Sequence, residues 1–184
     1  IKQINASGVE PAKNIAQFAN KKNLKTYNMF FNYSNSKKIL HKTKKRYSVV
    51  ICRNVIPHVE NILDVFKGID NILKQDGKLI IEFHYVENLL KKMHFDYIYH
   101  EHIFYFSIKT ISNLAKKFKL YSNDVFKSPI SGGSLVLIFS RNKNKSKKLL
   151  SMEKMENKNH INSKNIVLLL NSKIQDYKKT FLKK

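Results

Sequence analysis

Short apolar runs alternate with segments of helical period along most of this chain. That alternation restricts the possible folds more than any other feature. Residues 47–52 (Tyr-Ser-Val-Val-Ile-Cys) and 78–83, with Leu79-Ile80-Ile81 at the centre, are β-rich and short enough to be buried parallel strands. Between them, residues 61–73 place Ile62, Val65, Phe66, Ile69 and Leu73 at helical spacing. Gln75-Asp76-Gly77 reads as a turn. Upstream, Ala6 to Pro11 looks like a strand exit, followed by a helix over 12–23 with Ile15, Phe18 and Ala19 on one face. A short strand and loop over 24–31 and a helix over 36–41 come next. Downstream, Ser107 is a natural N-cap for a helix running to Phe118. Residues 120–126 and 134–140 read as strands, joined by a turn at 129–133. Being close in sequence, they should pair as an antiparallel hairpin. The pattern predicts an α/β fold, with helices on both faces of a mostly parallel sheet.

In such sheets, ligands bind outside the carboxyl ends of the strands. Glu10, Asn54 and Glu82 all fall at such ends and are expected to converge on one crevice. An acidic residue between a strand and a helix is where a ribose diol is gripped, although a helix-start carboxylate explains Glu10 equally well. From Arg141 the chain becomes rich in Lys, Asn and Ser, with Leu149-Leu150, Met152 and Met155 as its few apolar positions. This places a boundary near 140. Residues 1–140 form the core, and 141–184 form an exposed linker and helices, the last over 165–182.

The formal charge is +22, a value that raises the question of nucleic acid or an anionic membrane. The lysines, however, are dispersed in pairs (Lys21-Lys22, Lys44-Lys45, Lys91-Lys92, Lys147-Lys148) and not gathered beside stacking aromatics, so nucleic acid is not the expected partner. A solvated basic surface, with some pull on a phosphorylated substrate, fits better. No run approaches the length of a membrane span, and membrane contact is not expected. The single Cys52 excludes an internal disulfide framework and a cysteine-rich zinc site; it reads as a buried structural thiol, compatible with a cytoplasmic compartment. The chain opens at Ile1 inside a structured segment and reads as part of a longer protein.

The chemistry concentrates in Phe95-Asp96-Tyr97-Ile98-Tyr99-His100-Glu101-His102. Imidazole is the side chain best suited to moving a proton near neutral pH. In an extended segment, Tyr99 and Glu101 would project to one side, and His100 and His102 to the other. The bland alternative is a polar loop with solvated histidines. No second ligand cluster lies nearby to make it a metal site.

Gly8-Val9-Glu10-Pro11, Arg53 to Val59, Ile81-Glu82-Phe83, the central stretch, Tyr105-Phe106-Ser107 and Gly132-Gly133-Ser134-Leu135 occur in an order and spacing that resembles the S-adenosylmethionine-dependent C-methyltransferases of nucleotide-linked keto-deoxysugars. The resemblance covers residues 5–141. It implies a partial Rossmann-like class I methyltransferase core, with the glycine-rich loop, a zinc-binding N-terminal module and most of a C-terminal domain outside this chain. It implies zinc only in that module, and S-adenosylmethionine as cofactor. His102 matches the family's favoured base, with Tyr99 and Glu101 beside it and His58 as a second candidate. Glu10 would take the ribose hydroxyls, and Asn54 would line the methionine end. In the expected reaction, His102 removes a proton from the carbon beside a ketone, Glu101 holds the tautomer, and Tyr99 donates to the developing oxyanion. Three positions depart from the family pattern: His84, where Pro is usual, and Ser131 and Val136, where His and Arg are usual. They bear on substrate handling. A related core acting on another small substrate, a basic nucleic-acid-binding module and an inactive copy are the competing readings.

Overall fold

A computed structural model of the chain describes residues 5–92, 94, 97–130, 133–163 and 165–182. It divides into two compact units, residues 1–48 with 61–74 and residues 49–60 with 75–184. Phe95, Asp96, Ser131 and Gly132 lie outside the described residues.

The first unit holds a two-stranded parallel sheet, β1 (Gly8–Val9) and β2 (Thr26–Tyr27), paired Gly8 to Thr26 and Val9 to Tyr27. It also holds helices α1 (Lys13–Lys21), α2 (Tyr33–Thr43) and α3 (Ile62–Ile72). Asn32 and Asn61 cap α2 and α3 by accepting the backbone N–H groups of Asn35 and Asp64. Val65, Phe66 and Ile69 are buried, as the helical period of α3 requires, and Ile39 of α2 is buried as well. In α1 the expectation fails: Ile15 and Phe18 are exposed and Ala16 is the buried residue. Strands of two residues offer too little surface to cover an apolar helix face.

The second unit is built on a four-stranded sheet of order β3-β4-β6-β5: β3 (Tyr47–Arg53), β4 (Leu73–His84), β5 (Tyr121–Ser128) and β6 (Ser134–Ser140). β6 runs antiparallel to both β4 and β5, with Glu82 opposite Val136 and Val125 opposite Leu137. The hairpin forms as expected. The sheet is mixed: β4 and β5 run in the same direction, and β6 turns back and inserts antiparallel between them. Two further expectations change. β3, expected to be buried, ends the sheet order and exposes Val49 and Ile51, while Cys52 is buried. The expected turn at Gln75-Asp76-Gly77 is instead part of β4: Gly77 does not take a positive φ, so the chain passes through it extended.

Helices α4 (Val86–Lys92), α5 (Ile108–Lys116), α6 (Lys147–Lys158) and α7 (Asn165–Leu182) complete this unit. Ser107 caps α5 in a reciprocal capping box with Thr110. The segment after Arg141 is helical but is not the exposed linker its composition indicates. Leu149, Glu156 and Ile161 are buried, and Ser146, the N-cap of α6, is tied to Asp124 of β5 at 2.6 Å. A few well-placed anchors are enough to dock a helix whose other positions are lysine and asparagine.

Gly68 and Cys52 give two tests of this packing. A Cβ on Gly68 would lie 2.9 Å from the Asn32 carbonyl oxygen. Alanine gains about 1 kcal/mol in helix propensity, but the backbone clash should cost about 1–3 kcal/mol, so Gly68→Ala should lower the midpoint of thermal unfolding. Burial pushes the Cys52 thiol up from about 9 to about 12. The folded protein should therefore resist alkylation at pH 8 until denaturant is added. Because the unfolded thiol ionises first, folding stability should fall as pH rises above about 9; titrating urea midpoints between pH 8 and 10.5 reads this directly.

Candidate active site

β3 ends at Arg53, and Asn54 takes a left-handed φ of 49°, a conformation that asparagine tolerates better than most residues. Its N–H donates to the Glu82 carbonyl at 3.0 Å, which fixes the turn to the end of β4. A single 3-10 turn, Ile56–His58, follows. Ile56 and Pro57 are buried and His58 projects outward. The Pro57 carbonyl then accepts the N–H groups of Ile103 (3.0 Å) and Phe104 (3.2 Å). Two backbone bonds thus dock the end of the central stretch beside the 3-10 turn.

This docking brings together two histidines 44 positions apart in the numbering: the His58 and His102 ring centroids are 4.7 Å apart, inclined at 45°. In each, Nδ1 meets a backbone carbonyl at 2.9 Å, that of Glu101 for His58 and that of Tyr97 for His102. A carbonyl can only accept, so both Nδ1 atoms carry hydrogen and both rings keep Nε2 as a lone-pair acceptor.

Aromatic rings surround His102. Tyr99 lies 4.4 Å from it, Tyr97 is nearly parallel at 6.5 Å, and Tyr105 meets it edge-on at 6.0 Å. The Tyr105 hydroxyl donates to the Tyr97 carbonyl at 3.3 Å, and burial holds that phenol above its ordinary pKa. Tyr97 stacks in turn on His84 at 4.4 Å. Residues 99–102 are turned and not extended, for the His102 N–H donates to the Tyr99 carbonyl. Tyr99 and His102 therefore share a side, contrary to the alternation expected of a strand.

The candidate residues fall into distinct positions. His58, His102 and Tyr99 come together. Glu101 is exposed and contributes its carbonyl to His58; the Tyr97 carbonyl, not the Glu101 carboxylate, holds the His102 tautomer. Asn54 sits at the strand end as expected. Glu10 belongs to the first unit, where its Oε1 accepts the Ala12 N–H at 2.8 Å before α1. That bond bears out the helix-start reading, and among the described residues Oε2 has no hydrogen-bond partner. Glu82, at the end of β4, is buried and ion-paired to Arg53 at 2.7 Å, with the Ser128 hydroxyl on its other oxygen at 3.0 Å. Val136 lies in the middle of β6, opposite Glu82. Tyr97 and Tyr105, quoted with the motifs, and His84, noted where proline is usual, join the site without having been assigned a role in it. Among the described residues, no cluster of three or more His, Cys, Asp or Glu could hold a metal, and no helix is long and apolar enough to cross a membrane.

The chain is 33% identical over 131 residues to the C-methyltransferase NovU of Streptomyces niveus, an alignment covering 71% of this chain and 31% of that protein. The chain thus spans about a third of that relative's length. Among solved structures, the fold is similar to a SAM-dependent methyltransferase from Anabaena variabilis (TM-score 0.55, 8% identity, 73% and 67% of the two chains). It is also similar to magnesium protoporphyrin IX methyltransferase from Synechocystis with bound SAH (TM-score 0.53, 14% identity, 74% and 64%). At such identities the likeness is one of α/β fold alone. A methyltransferase-domain profile matches residues 2–121, well over half of the chain, and with it the chain belongs to the methyltransferase domain family.

Proposed function

We propose that this chain is the core of an S-adenosylmethionine-dependent C-methyltransferase that acts on a carbon beside a ketone in a nucleotide-linked keto-deoxysugar. The observation that carries this reading is the His58–His102 pair, each with Nδ1–H held by a carbonyl and Nε2 presented as a base. Similarity to a C-methyltransferase supports the bond type, and the resemblance of the motifs supports the sugar substrate.

A hydrogen beside a ketone is only weakly acidic, so its removal needs a fixed base and a donor for the oxyanion that forms. His102 Nε2 is that base. The Tyr97 carbonyl already holds its tautomer, so no reorganisation is needed before the proton moves. The imidazolium that results keeps its Nδ1–H bond to the same carbonyl. Tyr99, whose ring lies against His102, would donate its hydroxyl to the enolate oxygen. His58 lies beside the pair on the exposed side and can take the proton onward to water. Glu10 and Asn54 would hold the cofactor. Glu10 Oε2, without a partner among the described residues, suits a ribose hydroxyl, and Asn54 stands in a left-handed turn just after β3. Bound S-adenosylmethionine supplies the electrophilic methyl group.

In the full-length protein, His102→Ala should lower kcat for methyl transfer to a keto-sugar nucleotide by about 10²–10⁴-fold, with S-adenosylmethionine affinity unchanged by calorimetry. In deuterated water with S-adenosylhomocysteine present, exchange of the hydrogen beside the ketone should be lost in the same variant. Near-normal turnover would sink the assignment. Glu10→Ala removes a charged acceptor and should weaken S-adenosylmethionine binding by about 10–100-fold; an unchanged Kd would remove Glu10 from the cofactor site.

A further inference from the structure

Glu156, on α6, is 1% exposed, and neither the histidine pair nor the cofactor residues involve it. Among the described residues, four groups touch its carboxylate and each is a donor. Oε2 accepts the Tyr85 hydroxyl (2.9 Å) and the Ile108 N–H (2.7 Å); Oε1 accepts the Lys109 N–H (3.0 Å) and the Asn162 side-chain amide (2.9 Å). The site is built for an acceptor-only side chain. Beside it, burial and then the Glu156 carboxylate drive the Tyr85 phenol far above its ordinary pKa, so Tyr85 remains a donor.

The partners occupy both ends of one segment. Tyr85 directly follows β4, and Ile108 and Lys109 open α5. Residues 86–107 run between them and carry Tyr97, Tyr99, His102 and Tyr105. The ends also meet through backbone: Tyr85 bridges Phe106, and the Val86 N–H donates to the Phe106 carbonyl at 3.1 Å. Asn162 extends the clasp by accepting the Ser107 hydroxyl at 2.6 Å. A local helix cap does not need Glu156, because Ser107 and Thr110 already cap α5.

We infer that Glu156 is a positioning residue: it clasps the two ends of the histidine-bearing segment and so holds His102 in place beside His58. The inference rests on the proposed role of His102 as proton acceptor. Loosening the clasp spreads the segment's conformations, and the fraction with His102 in register falls before substrate contacts are lost.

The test is Glu156→Gln in the full-length protein, which turns an amide N–H₂ toward donors. Amide hydrogen exchange should quicken by about tenfold or more at Ile108 and Lys109 and also at Ile103 and Phe104, whose N–H groups bond the Pro57 carbonyl, with α3 unchanged as the internal reference. Turnover should lose about tenfold or more in kcat, with KM for both substrates within about twofold. Faster exchange confined to Ile108 and Lys109 would reduce Glu156 to a helix cap and overturn the inference. Normal kcat alongside loosened Ile103 and Phe104 would do the same. If Glu156→Gln does not fold, Tyr85→Phe carries the test, because it removes the hydroxyl that links Glu156 to the end of β4 and leaves the carboxylate in place: faster exchange at Ile103 and Phe104 supports the clasp, and unchanged exchange overturns it. Exchange is read without turnover, so failure of the wild-type protein to methylate keto-sugars would count against the proposed reaction and leave the exchange result to decide the clasp.

Discussion

The Pro57 carbonyl accepts two backbone N–H groups, from Ile103 and Phe104, and the histidine pair depends on those bonds. Buried Pro57 and Ile56 make the acceptor rigid, since proline restricts φ and the 3-10 turn is packed. A second layer of constraint comes from the Glu101 and Tyr97 carbonyls, which choose the same tautomer for both rings. Backbone oxygens rather than acidic side chains therefore set the protonation pattern. Such acceptors stay uncharged at every pH, so the tautomers do not depend on a neighbour's ionisation.

Two buried carboxylates flank this arrangement. Glu82 sits at the end of β4 with Arg53 and Ser128; Glu156 sits behind the start of α5 with four donors. A buried charge is costly unless its lone pairs are met, and both are met. Arg53 is largely exposed, so the value of its pair lies more in compensating the buried Glu82 than in net attraction. Glu82 lies where the Asn54 turn meets the end of β4, and Glu156 bonds the residues at the two ends of the segment that carries His102.

Hydrophobic packing supplies the platform. Leu79, Ile81 and Phe83 of β4 and Leu135, Leu137 and Phe139 of β6 are fully or almost fully buried at alternate positions, so the two central strands pair in one register. A slip by one residue would turn every one of these side chains to the other face. That register also sets Glu82 and His84 at the top of β4, where the site begins.

By itself, the sequence determined the α/β class, the Ser107 N-cap of α5 and the β5–β6 hairpin, because each depends on residue type and short spacing. Ser107 needs only its own helix, and Ser134 to Ser140 needs only alternation. The tertiary structure decided what depends on partners remote in the chain. It placed His58 against His102, exposed Val49 and Ile51 at the end of the sheet, and gave the tautomer role to Tyr97 instead of Glu101. It also drew Glu156 out of a lysine-rich stretch into a buried clasp. A carboxylate in such a stretch looks like any solvated one, because burial depends on donors 47 to 71 positions away, and no local pattern encodes a distance of that kind.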